Sequence, residues 1–145
     1  MDHIFTILIA EGNRYVRDFL RRELGGEGYE IRLAGNSRDL LETINADIPP
    51  ELLIIDLDFW QEGVLEFLNR LKNRSPALPV VVHTLATEMA DHPAVKNAVE
   101  AFIEKRGNPA TLKNAVAQAL RKNYPLHFSP AGLPARIEDS GHDSN

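Results

Sequence analysis

The chain has 145 residues, 43% of them hydrophobic and 26% charged, which suits one domain with a real core and is too short for two ordinary ones. A net charge of −5 gives no basis for nucleic-acid binding, and the absence of cysteine excludes disulfides, thiol catalysis and zinc–thiolate sites. No apolar run approaches a membrane span and Met1-Asp2-His3 does not open a signal peptide, so a cytoplasmic location away from membranes is expected.

In chain order, Ile4-Phe5-Thr6-Ile7-Leu8-Ile9-Ala10 reads as a first apolar strand, closed by Glu11-Gly12-Asn13. Asn13 can cap a helix whose apolar stripe is Val16, Phe19, Leu20 and Leu24. Arg14, Arg17, Arg21 and Arg22 lie among these positions and read as the solvated surface of that helix. Gly25, Gly26 and Gly28 stop it. Glu30-Ile31-Arg32-Leu33-Ala34 alternates, as a strand near a sheet edge does. Asn36-Ser37 then caps a second helix carrying Leu40, Leu41 and Ile44, and Pro49-Pro50 punctuates the chain before the next strand.

Leu52-Leu53-Ile54-Ile55 is a run of four apolar residues, the pattern of a strand buried on both faces. Asp56 closes it. A carboxylate there must be solvated, paired or cation-bound, although aspartate also begins many ordinary turns. After Asp58, residues 59–63 read as a loop that holds Trp60, the only tryptophan, near enough to Asp56 to report on it. A third helix turns Val64, Phe67, Leu68 and Leu71 inward, and Ser75-Pro76 and Pro79 frame the next turn.

Pro79-Val80-Val81-Val82-His83-Thr84 is a β-branched, buried strand in which His83 reads as packing. A fourth helix begins near Asp91 and Pro93 and carries Ala94, Val95, Ala98 and Val99. Ala101-Phe102-Ile103-Glu104-Lys105 is the fifth strand. Asn108-Pro109 opens a last helix with Leu112, Ala115, Val116, Ala119 and Leu120. The composition from Pro125 onward predicts a disordered tail over 125–145, leaving a domain over 1–124.

Five strands alternating with five helices predict right-handed crossovers and a parallel sheet covered on both faces. In such sheets ligands bind outside the carboxyl ends of the strands, near the point where strand order reverses. The first, third, fourth and fifth strands close at Glu11, Asp56, Thr84 and Lys105. One edge thus gathers two carboxylates, a hydroxyl and an ammonium.

These segments, in this order, resemble the receiver domain of two-component response regulators over roughly residues 4–122. Residues 7–13 resemble the first strand and acidic pair, and 53–56 the phosphoacceptor strand. Residues 79–84 resemble the strand ending in the switch hydroxyl, and 101–105 the strand with the switch aromatic and the lysine. The resemblance implies a flavodoxin-like, doubly wound α/β fold with strand order 2-1-3-4-5. It implies that Asp56 accepts a phosphoryl group from a sensor histidine kinase or phosphotransfer protein, with Lys105 and Thr84 contacting the phosphoryl oxygens. Thr84 and Phe102 would be the switch pair. Mg2+ would be held by Asp56, the Asp58 backbone carbonyl and Glu11, the last through water. A downstream protein partner, and a homodimer through the face of the fourth helix, fifth strand and last helix, are implied as well.

Three positions depart from the pattern. Gly12 stands where an acidic magnesium ligand is usual, so weak metal binding is expected. The loop after Asp56 lacks its usual proline and is one residue short before Gly63, and Arg106 replaces the proline after the lysine. Two functions follow as expectations. The first is a stand-alone phosphoacceptor switch, since about twenty residues after the last helix cannot hold a DNA-binding domain. The second is a pseudo-receiver, a docking module that works without phosphorylation. No glycine-rich phosphate loop follows the first strand, so an enzyme in its own right is not expected.

Overall fold

The computed structural model describes residues 3–59, 63–85 and 87–128. Within them the apolar runs pair into one parallel sheet: β1 (Thr6–Ala10), β2 (Glu30–Ala34), β3 (Leu52–Ile55), β4 (Val80–Thr84) and β5 (Ala101–Glu104). The strand order is β2-β1-β3-β4-β5, the flavodoxin-like order. The helices α1 (Arg14–Gly25), α2 (Ser37–Ile44), α3 (Val64–Asn73), α4 (Pro93–Ala98) and α5 (Pro109–Asn123) alternate with the strands.

Local chemistry sets where the helices begin. Asn13 accepts from the amides of Tyr15 and Val16, Asn36 from Asp39 and Asn108 from Ala110. His92 caps α4 in the same way, accepting from Ala94 through Nδ1. Gly28 turns the chain between α1 and β2 at φ +95°, a conformation that suits glycine.

Strand alternation divides the core between the two faces of the sheet. Leu8, Leu53, Ile55, Val80 and Val82 pack with Leu40 and Ile44 of α2 and Phe67, Leu68 and Leu71 of α3. Ile7, Ile9, Leu52, Ile54 and Val81 pack with Leu20 and Leu24 of α1 and Leu112, Val116 and Leu120 of α5. Each such side chain contributes about 1.5–3 kcal/mol of transfer free energy, an upper value because unfolded chains are partly collapsed. β1 and β3 are buried throughout while the edge strand β2 is mostly half-exposed, so the rigid middle of the sheet carries Glu11 and Asp56.

Two expectations need correction. Phe19 is not part of the buried stripe of α1; it is 38% exposed. It lies about 100° around the helix from Leu20, whereas Val16 and Leu24 lie a full turn away on the core side. The supposed tail does not begin at Pro125 either. Pro125–His127 forms a 3-10 turn, His127 stacks on His3 at 4.0 Å, and Phe128 stacks on Phe5 at 5.7 Å. These rings cover the amino end of β1, an apolar edge that water would otherwise meet. The rest of the expected tail, 129–145, lies outside the described residues. Among the described residues, no helix is long and apolar enough to cross a membrane.

Candidate functional site

The parallel ladders bring the strand ends together before any side chain is considered. Ala10 is in register with Ile55, and the Asp56 amide donates to the Ala10 carbonyl at 3.2 Å, so Glu11 and Asp56 leave neighbouring strands side by side. The Lys105 amide donates to the Thr84 carbonyl at 3.0 Å, which carries the β4–β5 ladder one residue further. Lys105 must then reach past β4, about two strand spacings or roughly 9–10 Å. Its four-carbon stem and the two carboxylates span that gap. Nζ stands 2.5 Å from Asp56 Oδ2 and 2.7 Å from Glu11 Oε1. Thr84 Oγ1 donates to Asp56 Oδ1 at 2.7 Å, and the Asp58 amide donates to the same oxygen at 3.1 Å.

Both carboxylates are buried, Glu11 at 3% exposure and Asp56 at 7%. Burial alone pushes the Asp56 carboxyl up. The hydrogen bonds from Lys105, Thr84 and the Asp58 amide outweigh it and hold the group below the usual carboxylate range. Burial likewise pulls the Lys105 ammonium down, but Asp56 and Glu11 hold it above its ordinary value. Both groups are therefore charged at neutral pH. His83, on the opposite face of β4, is driven down to about 4 by burial and by the Lys105 charge, so it packs as a neutral ring.

Four of the residues singled out in the sequence thus converge: Glu11, Asp56, Thr84 and Lys105. Asp58 reaches the site through its amide, from a 3-10 turn over Leu57–Phe59, with its carboxylate exposed. Phe102 stays apart, half-buried in the middle of β5 against the cluster that holds Val82 and Ala98. Trp60 lies outside the described residues. Gly12 is exposed, and a Cβ built on it would meet nothing within 4 Å. Among the described residues, no group of three or more His, Cys, Asp or Glu side chains could hold a metal ion. The oxygens of Glu11 and Asp56 are nonetheless of the kind magnesium takes, in an ion that keeps several of its waters.

Sequence reasoning missed three contributors. The Asn13 amide donates to Glu11 Oε2 at 2.9 Å, besides the capping that Asn13 performs. Arg17, read as solvated surface, is half-buried and donates from Nη1 to the Glu11 carbonyl at 2.7 Å. Gly35 lies directly under that guanidinium. The first turn of α1 and the end of β2 were both legible, but a contact between them is not a local pattern.

A buried carboxylate kept ionised, flanked by a hydroxyl and an ammonium, is a nucleophile beside two donors for an anionic electrophile. Comparison with known proteins identifies the family and the fold. The profile of the response regulator receiver domain matches residues 7–117. The DNA-binding transcriptional regulator NtrC of Azospirillum brasilense is 33% identical over 133 residues, covering 90% of this chain and 26% of that protein. Response regulator MprA of Mycolicibacterium vanbaalenii is 31% identical over 88 residues, 61% of this chain and 38% of that protein. The chain therefore spans only about a quarter to two-fifths of the length of these relatives. Among solved structures, a CheY-like receiver domain protein from Methanospirillum hungatei superposes with a TM-score of 0.74 at 22% identity, covering 86% of this chain and 99% of that one. The response regulator TrrA of Thermotoga maritima, solved in complex with Mg2+-BeF, superposes with a TM-score of 0.71 at 23% identity, covering 81% and 100%. At these identities the superpositions speak for the fold.

Proposed function

The chain belongs to the response regulator receiver domain family, and from that premise we propose that it is a phosphoacceptor switch modified on Asp56. Receiver domains work in two-component signalling and interact with histidine kinases and downstream effectors. In the proposed step an Asp56 carboxylate oxygen attacks the phosphorus of a phosphohistidine. The new O–P bond forms as the P–N bond breaks, and the imidazole leaves with the electron pair. Such a transfer demands positioning and charge neutralisation more than covalent chemistry from the protein. Lys105 and Thr84, already on Asp56, are placed to follow the charge onto the phosphoryl oxygens. The protein is then the substrate of a kinase or phosphotransfer protein rather than an enzyme.

Receiver domains typically bind Mg2+. Here Asp56, the Asp58 carbonyl and, through water, Glu11 would hold it, and its positive charge would offset the negative charge that phosphoryl transfer gathers at Asp56. With Gly12 in place of a further carboxylate, its affinity is proposed to be weak. Phosphorylation would move the Thr84 hydroxyl from Asp56 to a phosphoryl oxygen. Phe102, on the same face of the sheet through the pairing of Val82 with Phe102 and Thr84 with Glu104, would follow. The face of α4, β5 and α5 would then present a new surface to a downstream protein or to a second copy.

The observation that supports this reading best is the grip of Thr84 and Lys105 on the buried, ionised Asp56. Incubation with a small phosphodonor and magnesium should add the mass of one phosphoryl group, and Asp56→Asn should take none. Equal modification of that variant would remove Asp56 from the scheme. Gly12 favours a second reading, a docking module independent of phosphorylation. That reading takes over if the wild type gains no mass under saturating donor and magnesium.

A further inference from the structure

The loop between β1 and α1 carries Glu11 but, at Gly12, no second carboxylate that a cation could hold. Contacts within the protein order it instead. The Glu11 amide donates to the Ala34 carbonyl at 3.1 Å, and Glu11 Oε2 accepts from the Asn13 amide at 2.9 Å. Arg17, in the first turn of α1, folds back so that Nη1 donates to the Glu11 carbonyl at 2.7 Å. Its guanidinium lies over Gly35, the residue that follows β2. A Cβ on Gly35 would stand 2.7 Å from Nη1, 3.2 Å from Cζ and 3.6 Å from Nη2. No side chain fits there while Arg17 holds the carbonyl.

We infer that Arg17, seated on Gly35, is the positioning residue for Glu11 and, through it, for Lys105. A donor that is itself charged makes a shorter and stronger hydrogen bond than a neutral one. Here it fixes the peptide from which the Glu11 side chain departs. Glu11 Oε1 in turn holds Lys105 Nζ at 2.7 Å, beside the contact that Nζ makes with Asp56 Oδ2. The clamp gives the loop the order that a metal-bound carboxylate at position 12 would otherwise supply. Its effect on Asp56 modification rests on the phosphoacceptor reading, but the positioning does not.

Gly35→Ala is the informative variant, because the clash falls on the tip of a flexible side chain and not on backbone. Its midpoint in urea should fall only slightly while the guanidinium is displaced, because alanine's lower unfolded-chain entropy offsets part of the lost hydrogen bond. Arg17→Met and Gly35→Ala should each lower the hydrogen-exchange protection of the Glu11 and Asn13 amides by roughly three- to tenfold, the factor that one hydrogen bond carries. Because both act through one contact, the double variant should lose no more than either single one. Arg17→Lys, which keeps a charged donor, should recover part of the protection. The rate of Asp56 modification by a small phosphodonor should fall in parallel. Unchanged protection in both single variants, or additive losses in the double variant, would overturn the clamp. If protection falls as expected but the wild type takes no phosphoryl group, the clamp stands and the phosphoacceptor reading fails.

Discussion

At the scale of single residues, the strand ends turn on Lys105. Glu11 and Asp56 bring two negative charges into a buried corner and Lys105 brings one positive charge, −2 + 1 = −1 in all. Two unit charges 4 Å apart interact by about 4 kcal/mol at the effective dielectric of a protein boundary, so one more charge there is felt. Gly12 is the place to add it. Its φ is not positive, and a Cβ there meets open space, so an aspartate fits without strain. Gly12→Asp should tighten magnesium binding about tenfold or more and speed modification of Asp56. Without metal the third carboxylate should cost about 1 kcal/mol of stability, kept small because solvent at this exposed turn screens it. Calorimetric titration with magnesium and urea melts in a chelator would read both effects. An unchanged affinity would mean that the ion is not held where Glu11 and Asp56 converge.

At the scale of elements, β1 is fixed at both ends, by the charged cluster at its carboxyl end and by rings at its amino end. His3, Phe5, Tyr124, His127 and Phe128 contact one another there. Tyr124 donates its hydroxyl to the Glu51 carbonyl at 2.6 Å, and burial, reinforced by the Glu51 charge, pushes that hydroxyl up to about 12. Glu51 also accepts from the Thr6 amide at 2.9 Å, which ties the start of β1 to the start of β3. Phe128→Ala should therefore destabilise the fold by about 1–2 kcal/mol, less than a fully buried Phe would, because the ring is half-buried. Leu126→Ala, at a side chain 94% exposed, should stay within about 0.5 kcal/mol and serves as the control in the same urea melts. Equal effects of the two would mean that the ring cluster does not fasten the chain end. The sequence showed the strands and caps because period and cap chemistry are local: Leu52 to Ile55, or Asn108 before Pro109, can be read in a window of a few residues. It did not show the cluster, since Phe5 and Phe128 meet across nearly the whole chain, nor the seat of Arg17 on Gly35, which joins a helix to the end of another strand. Glu11, Asp56, Thr84 and Lys105 were legible because the topology of a parallel sheet decides where strand ends go. Phe19 was misread because a helical stripe has flanks, and only packing shows which flank is covered.

At the scale of the whole molecule, the signal proposed at Asp56 would have to reach a surface, and it could do so only if some element has two arrangements with different contacts to the site. α4 is the best placed. It buries only Val95 and Ala98, against three side chains in α3 and four in α5, so its displacement disturbs less packing than theirs would. Ala98 belongs to the cluster against which Phe102 rests, and Thr84 stands on the same face of the sheet. Thr84 already donates to Asp56 without a phosphoryl group, so the switch cannot consist of drawing that hydroxyl in from solvent. On the phosphoacceptor reading proposed above it would be an exchange of acceptor, with Thr84 leaving Oδ1 for a phosphoryl oxygen and β4 shifting with it. Beryllofluoride with magnesium, a phosphoryl mimic, should thus move backbone amide signals at Thr84, along α4, at Phe102 and on the adjoining face of α5. The signals of β2 and α2, at the opposite edge of the sheet, should stay still. Thr84→Ala should keep the shifts at 56–59 and abolish those on α4 and β5. Shifts confined to 56–59 in the wild type would mean that the mimic binds without moving the sheet edge, and the proposed output face would have to be abandoned.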